Sequence, residues 1–268
     1  MRSITKSIEY HSRSDVFRII PIADIHLGNK GCDEGLLKAT IDDIASDANT
    51  YWVGLGDLAE WINRRDPRFD PADLPSWLMY DLKDIAEAER SRLIKYLNPI
   101  GDKCLGMVSG NHEDAILHHN ERDVYTTIAE GIGAQEVCLG PSGFIKVQFK
   151  RKSGDSKPNS WPMVMFLTHG WWGGRKMGSG ANNLESMMGW VDADLLLAGH
   201  DHKRLSFSLD KMQMDNKGGV RTTRIHGISC GTFLRDAGYA ERKGYRPSNV
   251  GIVTINVIPD KRIIQVAV

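Results

Sequence analysis

The chain has 268 residues, of which 41% are hydrophobic, and it carries 34 Lys and Arg residues against 34 Asp and Glu residues. The length suffices for a sizeable core and predicts one domain over residues 1–268, while the zero net charge excludes a global field that attracts nucleic acid or membranes. No apolar stretch approaches the roughly 18 residues that span a bilayer. The four scattered cysteines form no C-x-x-C pair, which is typical of reduced thiols, so we predict a cytoplasmic protein without membrane contact.

Strand and helix patterns alternate through most of the chain. An apolar run over 16–23 predicts the first strand, residues 34–47 predict an amphipathic helix, and residues 51–55 predict the next buried strand. This alternation favours a largely parallel sheet covered by helices. The later predicted elements are a helix over 76–97, a strand over 104–108, a helix over 122–131, strands over 144–150 and 162–168, a helix around 184–188, and strands over 193–198, 204–209, 221–229, 249–257 and 262–267.

Short polar motifs follow the apolar runs, at the predicted ends of strands. They are Asp24-Ile25-His26, Gly56-Asp57, Gly110-Asn111-His112-Glu113, Thr168-His169-Gly170 and Gly199-His200-Asp201-His202. Because ligand sites collect outside the carboxyl ends of strands, we expect these motifs to form one site. If strand geometry continues into the motifs, Asp24 and His26 point the same way, and so do His200 and His202.

The motifs supply carboxylate, imidazole and amide groups and no thiolate. This donor set suits two divalent metal ions in an open catalytic site, with Mn²⁺ preferred and Fe, Zn or Ni also compatible. A carboxylate that bridges two metals holds them about 3.5–4 Å apart, the spacing used for in-line phosphoryl displacement. We therefore predict hydrolysis of a phosphate ester, with His112 left over for acid chemistry.

The ordered motifs D-x-H, G-D, G-N-H-[DE], a later His and G-H-x-H resemble those of the calcineurin-like metallophosphoesterase superfamily over residues 24–202. The resemblance implies an α/β fold, a four-layer α-β-β-α sandwich of two mixed sheets flanked by helices, with the dimetal site at one edge. Asp57 is then the bridging ligand. The implied ligands of one metal are Asp24, His26, Asp57 and His202, and those of the other are Asp57, Asn111, His169 and His200.

The resemblance also implies roles for two further residues. A metal-bridging hydroxide would attack phosphorus in line, and His112 would protonate the leaving group or stabilise the transition state. Glu60 follows Asp57 at the position of the second aspartate in the family's G-D-x-x-D pattern, and it is expected to orient His112. The alternative is that Glu60 caps a helix or faces solvent.

Two predicted insertions, near 61–80 and 171–183, are expected to shape the substrate pocket. Arginines suit phosphate oxygens, and a tryptophan pair can stack on a nucleobase. The candidate substrate-binding residues are Arg64, Arg65, Trp171, Trp172 and Arg175. The alternative is that the tryptophans anchor their loop in the core and the arginines pair with Asp66 and Asp70.

These residues favour a phosphodiesterase or nuclease that acts on nucleotides or nucleic acid, with DNA as one candidate substrate. Two alternatives stay open: a phosphomonoesterase for nucleotides or phosphoproteins, and a protein-binding scaffold of the same fold that has lost catalysis. The intact ligand set and His112 favour an enzyme over the scaffold. The sequence does not indicate an oligomeric state.

Overall fold

The computed structural model describes residues 1–80, 82–152, 159–174, 176–235, 244 and 248–268. Its strands form one mixed sheet of six strands and a second of five. In spatial order, the strands of the first sheet are β1 (Arg2–Tyr10), β5 (Ser142–Arg151), β6 (Ser160–Thr168), β7 (Leu195–Ala198), β9 (Val220–Cys230) and β8 (Arg204–Met214). Those of the second are β11 (Ile263–Ala267), β10 (Thr254–Ile258), β2 (Phe17–Ile22), β3 (Thr50–Gly54) and β4 (Cys104–Met107).

Both sheets contain a parallel part that carries the predicted motifs. In the second sheet β2, β3 and β4 run parallel, and in the first sheet β6, β7 and β9 run parallel. Antiparallel partners flank these strands: β10 pairs with β2, β5 with β6, and β8 with β9. Because parallel neighbours end at the same edge of a sheet, the loops after the five motif-bearing strands lie together.

Five helices cover the two sheets in the described part of the chain. They are α1 (Glu34–Ser46), α2 (Ile85–Leu97), α3 (Asn111–Asn120), α4 (Val124–Gly131) and α5 (Met177–Trp190). None of them has the length and apolar character that crossing a membrane requires.

Three apolar clusters show how these layers stack. Residues of both sheets, such as Ile19 and Val147, fill one cluster between them. A second cluster joins the other face of the five-stranded sheet to α1, α2 and α4, and a third joins the six-stranded sheet to α5, where Leu184 contacts the layer that contains Leu196. This arrangement of helix, sheet, sheet and helix confirms the predicted four-layer α-β-β-α sandwich.

Several predicted boundaries differ from the structure for local reasons. Helix α2 begins at Ile85 rather than at residue 76, because Asp84 caps it by accepting a hydrogen bond from the backbone N–H of Glu87. Residues 76–80 form turns instead. Strand β1 was not predicted because, in the described part of the chain, it lies at the sheet edge with β5 as its one partner, and most of its side chains are polar or exposed.

Helix α3 is a second unpredicted element. It begins at Asn111, inside the motif that follows β4, so this strand end runs directly into a helix rather than an extended loop. His112 and Glu113 therefore lie in the first turn, and the N-cap position is Gly110. The helix fixes the spacing of these two side chains.

Candidate metal centre

The candidate ligands converge from five loops at one edge of the two sheets. Those after β2, β3 and β4 come from the five-stranded sheet, and those after β6 and β7 come from the six-stranded sheet. The seven candidate ligands are Asp24, His26, Asp57, Asn111, His169, His200 and His202. The pairing of two sheets thus brings together residues that are far apart in the sequence.

A left-handed backbone conformation, and not the pleat of a continued strand, sets the direction of most of these side chains. Strand β2 ends at Ile22, and both Asp24 and His26 have φ of 50°, while His200 has φ of 71° and His202 has φ of 53°. The expectation of a continued strand was wrong. This left-handed conformation costs a non-glycine residue about 1–3 kcal/mol, and it is typical of functional sites.

The first group of donors consists of Asp24, His26 and His202. Nε2 of His26 lies 3.2 Å from Nε2 of His202 and 4.0 Å from Oδ1 of Asp24. Nε2 of His202 lies 3.4 Å from the same Asp24 oxygen. The three donor atoms thus surround one point.

The second group consists of Asp57, His169 and His200, with Asn111 beside it. Nε2 of His169 lies 3.2 Å from Oδ2 of Asp57, 3.2 Å from Nδ1 of His200 and 3.1 Å from Oδ1 of Asn111. The same Asp57 oxygen lies 4.0 Å from Nε2 of His26 in the first group. Asp57 therefore stands between the two groups, where a bridging carboxylate would lie.

The donor spacing fits metal coordination. Bonds of about 2.0–2.1 Å that meet at angles between about 90° and 180° separate their donor atoms by about 3.0–4.2 Å. The seven distances given above run from 3.1 to 4.0 Å. Facing imidazole nitrogens at 3.2 Å without a proton between them would repel, and a shared cation removes that repulsion.

Hydrogen bonds on the outer nitrogens orient two of the imidazoles. Nδ1–H of His26 donates to Oε2 of Glu60 at 2.9 Å, and Nδ1–H of His169 donates to the carbonyl oxygen of Leu55 at 2.7 Å. Each bond uses Nδ1 and turns Nε2 toward the other donors. Such outer partners fix the tautomer and the ring orientation of metal-binding histidines.

The pKa values of these groups reflect a concentration of buried carboxylates. Burial lowers the pKa of His26, but the hydrogen bond to Glu60 and the charges of Asp57 and Asp24 outweigh it and raise the value to about 9. Burial likewise opposes charge on His169, yet Asp57 raises its pKa to about 10. The carboxylates thus demand positive charge, which protons supply here and divalent cations would supply instead.

The floor of the site is closed and one side is open. Asp24, Asp57, His26 and His169 are buried, whereas His200 and His202 are half-buried and Asn111 is exposed. Among the described residues, the donor set is therefore accessible to solvent on the side of His200, His202 and Asn111.

Glu113 holds two of the ligand loops together. Its carboxylate accepts hydrogen bonds from the backbone N–H groups of Asp57, Leu58 and Gly110, each at 2.8 Å, and from Nε1 of Trp61 at 3.1 Å. The loops also touch directly, since a Cβ at Gly110 would lie 2.2 Å from Oδ1 of Asp57. Glycine is required there because of this close approach.

The structure places His112 and Glu60 side by side, but their contact differs from the expected one. Nδ1–H of His112 donates to the backbone carbonyl oxygen of Glu60 at 2.5 Å, while the Glu60 carboxylate contacts His26. The His112 backbone N–H donates to Oδ1 of Asp57 at 2.9 Å. The histidine is therefore oriented by main chain and by a candidate ligand, and neither hydrogen bond uses its Nε2.

Sequence reasoning missed one supporting loop. The carbonyl oxygen of Asp24 accepts hydrogen bonds from Oγ1 of Thr232 at 2.8 Å and from the backbone N–H of Phe233 at 3.0 Å. Both residues follow β9, the next parallel strand after β7. The available signal was the strand end at Gly231, which resembles the other motifs but offers no metal ligand.

The candidate substrate-binding residues lie in different environments. Trp171 is 64% exposed. Trp172 is buried in the cluster under α5, which agrees with the alternative that a tryptophan anchors this loop in the core. Arg64 and Arg65 are exposed and line a cavity beside α3. Arg175 lies outside the described residues.

Asp66 pairs with a different arginine from the two candidates. Nη2 of Arg68 lies 2.7 Å from Oδ2 of Asp66. Asp66 thus pairs with an arginine outside the candidate set, and Arg64 and Arg65 have no carboxylate partner among the described residues.

Comparison with known proteins gives matches among solved structures alone. No protein-family model matches the chain, and no curated protein matches it in sequence. Vps29 of Chaetomium thermophilum is 11% identical with a TM-score of 0.31, over 80% of this chain and 99% of Vps29. The NAD nucleotidase NadN of Haemophilus influenzae is 8% identical with a TM-score of 0.39, over 95% of this chain and 49% of NadN.

A third solved structure is GAP50, the anchor in the inner membrane complex of Plasmodium. It is 14% identical with a TM-score of 0.38, over 90% of this chain and 81% of GAP50. The chain spans about half the length of NadN, as the 49% coverage states. The chemistry of the candidate site rests on its own residues.

Proposed function

We propose that the chain is a dimetal phosphoesterase of the calcineurin-like metallophosphoesterase superfamily, and that it hydrolyses phosphodiesters in nucleotides or nucleic acid. One observation carries the proposal: Asp24, His26 and His202 form one donor group within 4.8 Å and Asp57, His169 and His200 form another, and the Asp57 carboxylate also lies 4.0 Å from His26 of the first. Asp24, His26 and His202 would hold one cation, and His169, His200 and Asn111 the other, with Asp57 shared.

The surrounding residues divide the remaining work. When bound, two divalent cations polarise the phosphate and lower the pKa of water, so that a nucleophile exists at neutral pH. His112 keeps Nε2 for the leaving group because the Glu60 carbonyl occupies its Nδ1–H. Glu60 orients His26, and Glu113 holds the Asp57 and Gly110 loops in register.

The support for the proposed preference for diesters comes from the solvent-exposed side of the site. Trp171 is exposed and follows His169 by two residues, so its ring can stack on a nucleobase or an aromatic leaving group. Its ring packs edge-on against the buried Trp172, with centroids 5.2 Å apart. The buried tryptophan thereby supports the exposed one beside the donor set.

Two model substrates test the proposal. Hydrolysis of bis-p-nitrophenyl phosphate and of p-nitrophenyl phosphate is measured with added Mn²⁺ and with a chelator. We expect Mn²⁺-dependent turnover with higher kcat/KM on the diester. Preference for the monoester would favour a phosphomonoesterase, and no turnover with Mn²⁺, Fe²⁺, Zn²⁺ or Ni²⁺ would favour a binding scaffold.

A further inference from the structure

A cavity beside the candidate metal centre holds a concentration of positive charge. Its volume is about 320 Å³, and it lies between the segment after Glu60, the start of α2 and the outer half of α3. The charged residues in its wall are Arg64, Arg65, Lys83, Asp84 and Arg122. Because all but one of these side chains are cationic, the cavity attracts an anion.

In the described part of the chain, most of this charge has no carboxylate partner. Oδ2 of Asp84, the one acid in the wall, lies 3.0 Å from Nη2 of Arg122. Nη2 of Arg64 donates to the carbonyl oxygen of Leu82, a neutral acceptor. Among the described residues, the side chains of Arg65 and Lys83 have no hydrogen-bonding or ionic partner.

Two connections join the cavity to the metal centre. The Glu60 carbonyl contacts His112, and Asn63, a short step along the same segment, lines the cavity and donates to Oδ1 of Asn120 at 3.0 Å. Helix α3 is the second connection, because Ile116 and Asn120 also line the cavity, and it gives the distance between His112 and the cavity. At 1.5 Å per residue they lie about 6 Å and about 12 Å along the helix axis from His112.

We propose that this cavity binds a second phosphate group of a single-stranded polynucleotide substrate, a subsite that rests on the proposed function. A stacked strand advances about 3.4 Å per nucleotide, so an axial separation of about 6–12 Å corresponds to about two to four nucleotides. The volume is at the small end of ligand pockets, about 300 Å³. It therefore accommodates a phosphate and part of its sugar, with Arg65 and Lys83 as the oxygen-binding groups.

A double variant, Arg65→Ala with Lys83→Ala, tests the subsite. Both side chains are exposed, so their removal leaves the core intact. The matched control, Lys146→Ala with Lys217→Ala, removes the same charge from exposed positions elsewhere. The readout is kcat/KM on a short oligothymidylate divided by kcat/KM on bis-p-nitrophenyl phosphate, which contains a single phosphate.

We expect this ratio to fall about tenfold in the cavity variant, through KM, and to stay unchanged in the control. An equal ratio in both variants would overturn the proposal. A 5′-phosphorylated dinucleotide provides a third arm, because its second phosphate is one nucleotide away. If the cavity variant also lost about tenfold in kcat/KM on the dinucleotide, the bound phosphate would not be a distant phosphate of a polynucleotide, and the proposal would be overturned.

A binding measurement separates this inference from the proposed activity. Fluorescence anisotropy of a labelled oligothymidylate is measured with the full chain in chelator, so that no ester is hydrolysed. We expect about tenfold weaker binding by the cavity variant than by the control. Equal affinities would overturn the subsite, whereas the expected difference in a protein that hydrolyses no ester would retain the subsite and overturn the hydrolase.

Discussion

The candidate metal centre and the rim around it differ in how firmly the fold holds them. Asp24 and Asp57 are at most 2% exposed, and backbone or imidazole groups contact both carboxylates. In the rim, which we define as residues 61–80 and 171–183, Tyr80 is 93% exposed and Trp171 is 64% exposed. Packing thus fixes the donor set, whereas the proposed substrate contacts belong to the exposed side chains of the rim and not to its buried members such as Trp172.

This contrast predicts two classes of variant. Changes in the centre should alter metal occupancy or turnover, and changes in the rim should alter KM and leave metal binding intact. Variants of both regions test this difference between the centre and the rim, from the largest expected effect to the smallest.

Asp57→Ala should have the largest effect. Because Asp57 lies between both donor groups, its loss should empty both metal positions and reduce diester hydrolysis to the level of the chelated wild-type protein. Metal content by mass spectrometry and turnover are measured on the same sample. The control is Asp102→Ala, an exposed carboxylate away from the site, and full metal stoichiometry in Asp57→Ala would refute the bridging position.

His112→Ala should separate chemistry from metal binding. The side chain contacts the Glu60 carbonyl and packs edge-on against the His26 ring, but it belongs to neither of the two donor groups that contain Asp24 and Asp57, so we expect normal metal content and a loss of about 10²–10⁴-fold in kcat. His119→Ala, an exposed histidine on the same helix, serves as the control. Turnover like that of the wild type would exclude the proposed proton transfer.

Glu60→Gln tests which histidine the carboxylate serves. In the structure it orients His26, so the variant should bind metal about 10–100-fold more weakly. Saturating metal should then restore kcat, because the His112 contact uses the Glu60 backbone, which the substitution leaves in place. Titration with Mn²⁺ followed by turnover measures both quantities, and a kcat that stays low at saturation would show that the carboxylate acts through His112.

The two tryptophans of the rim should behave differently from each other. Trp171→Ala should raise KM on nucleotide diesters by about tenfold, within the about 1–3 kcal/mol of one base stacking contact, without changing thermal stability. Trp172→Ala removes a buried ring and should lower the free energy of unfolding by about 3–5 kcal/mol. Thermal melts and KM values on both proteins check the pair, and an unchanged KM for Trp171→Ala would remove its proposed substrate contact.

The sequence was sufficient to predict which strand ends meet. An apolar run that ends in a polar motif is a local signal, and the sheet topology then places those ends together, as it does for Asp24, Asp57 and His200. The alternation of strands and helices predicted only a largely parallel sheet covered by helices, whereas the two mixed sheets of the four-layer sandwich were implied by the family resemblance.

Side-chain partners were less predictable because they depend on tertiary packing. The Glu60 carboxylate could reach either of two imidazoles, and only the position of the loop after Asp57 decides that it contacts His26. Likewise, the left-handed backbone of Asp24 and His26 has no signature in the residues themselves, since neither is glycine. The adjacent tryptophans also look alike in the sequence, and their opposite burial follows from the position of α5.

The most direct test of the account is anomalous diffraction from crystals of the full chain grown with Mn²⁺. We expect two peaks about 3.5–4 Å apart on either side of the Asp57 carboxylate, one contacted by Asp24, His26 and His202 and the other by Asn111, His169 and His200. A single peak, or no peak among these side chains at saturating Mn²⁺, would contradict a dimetal centre.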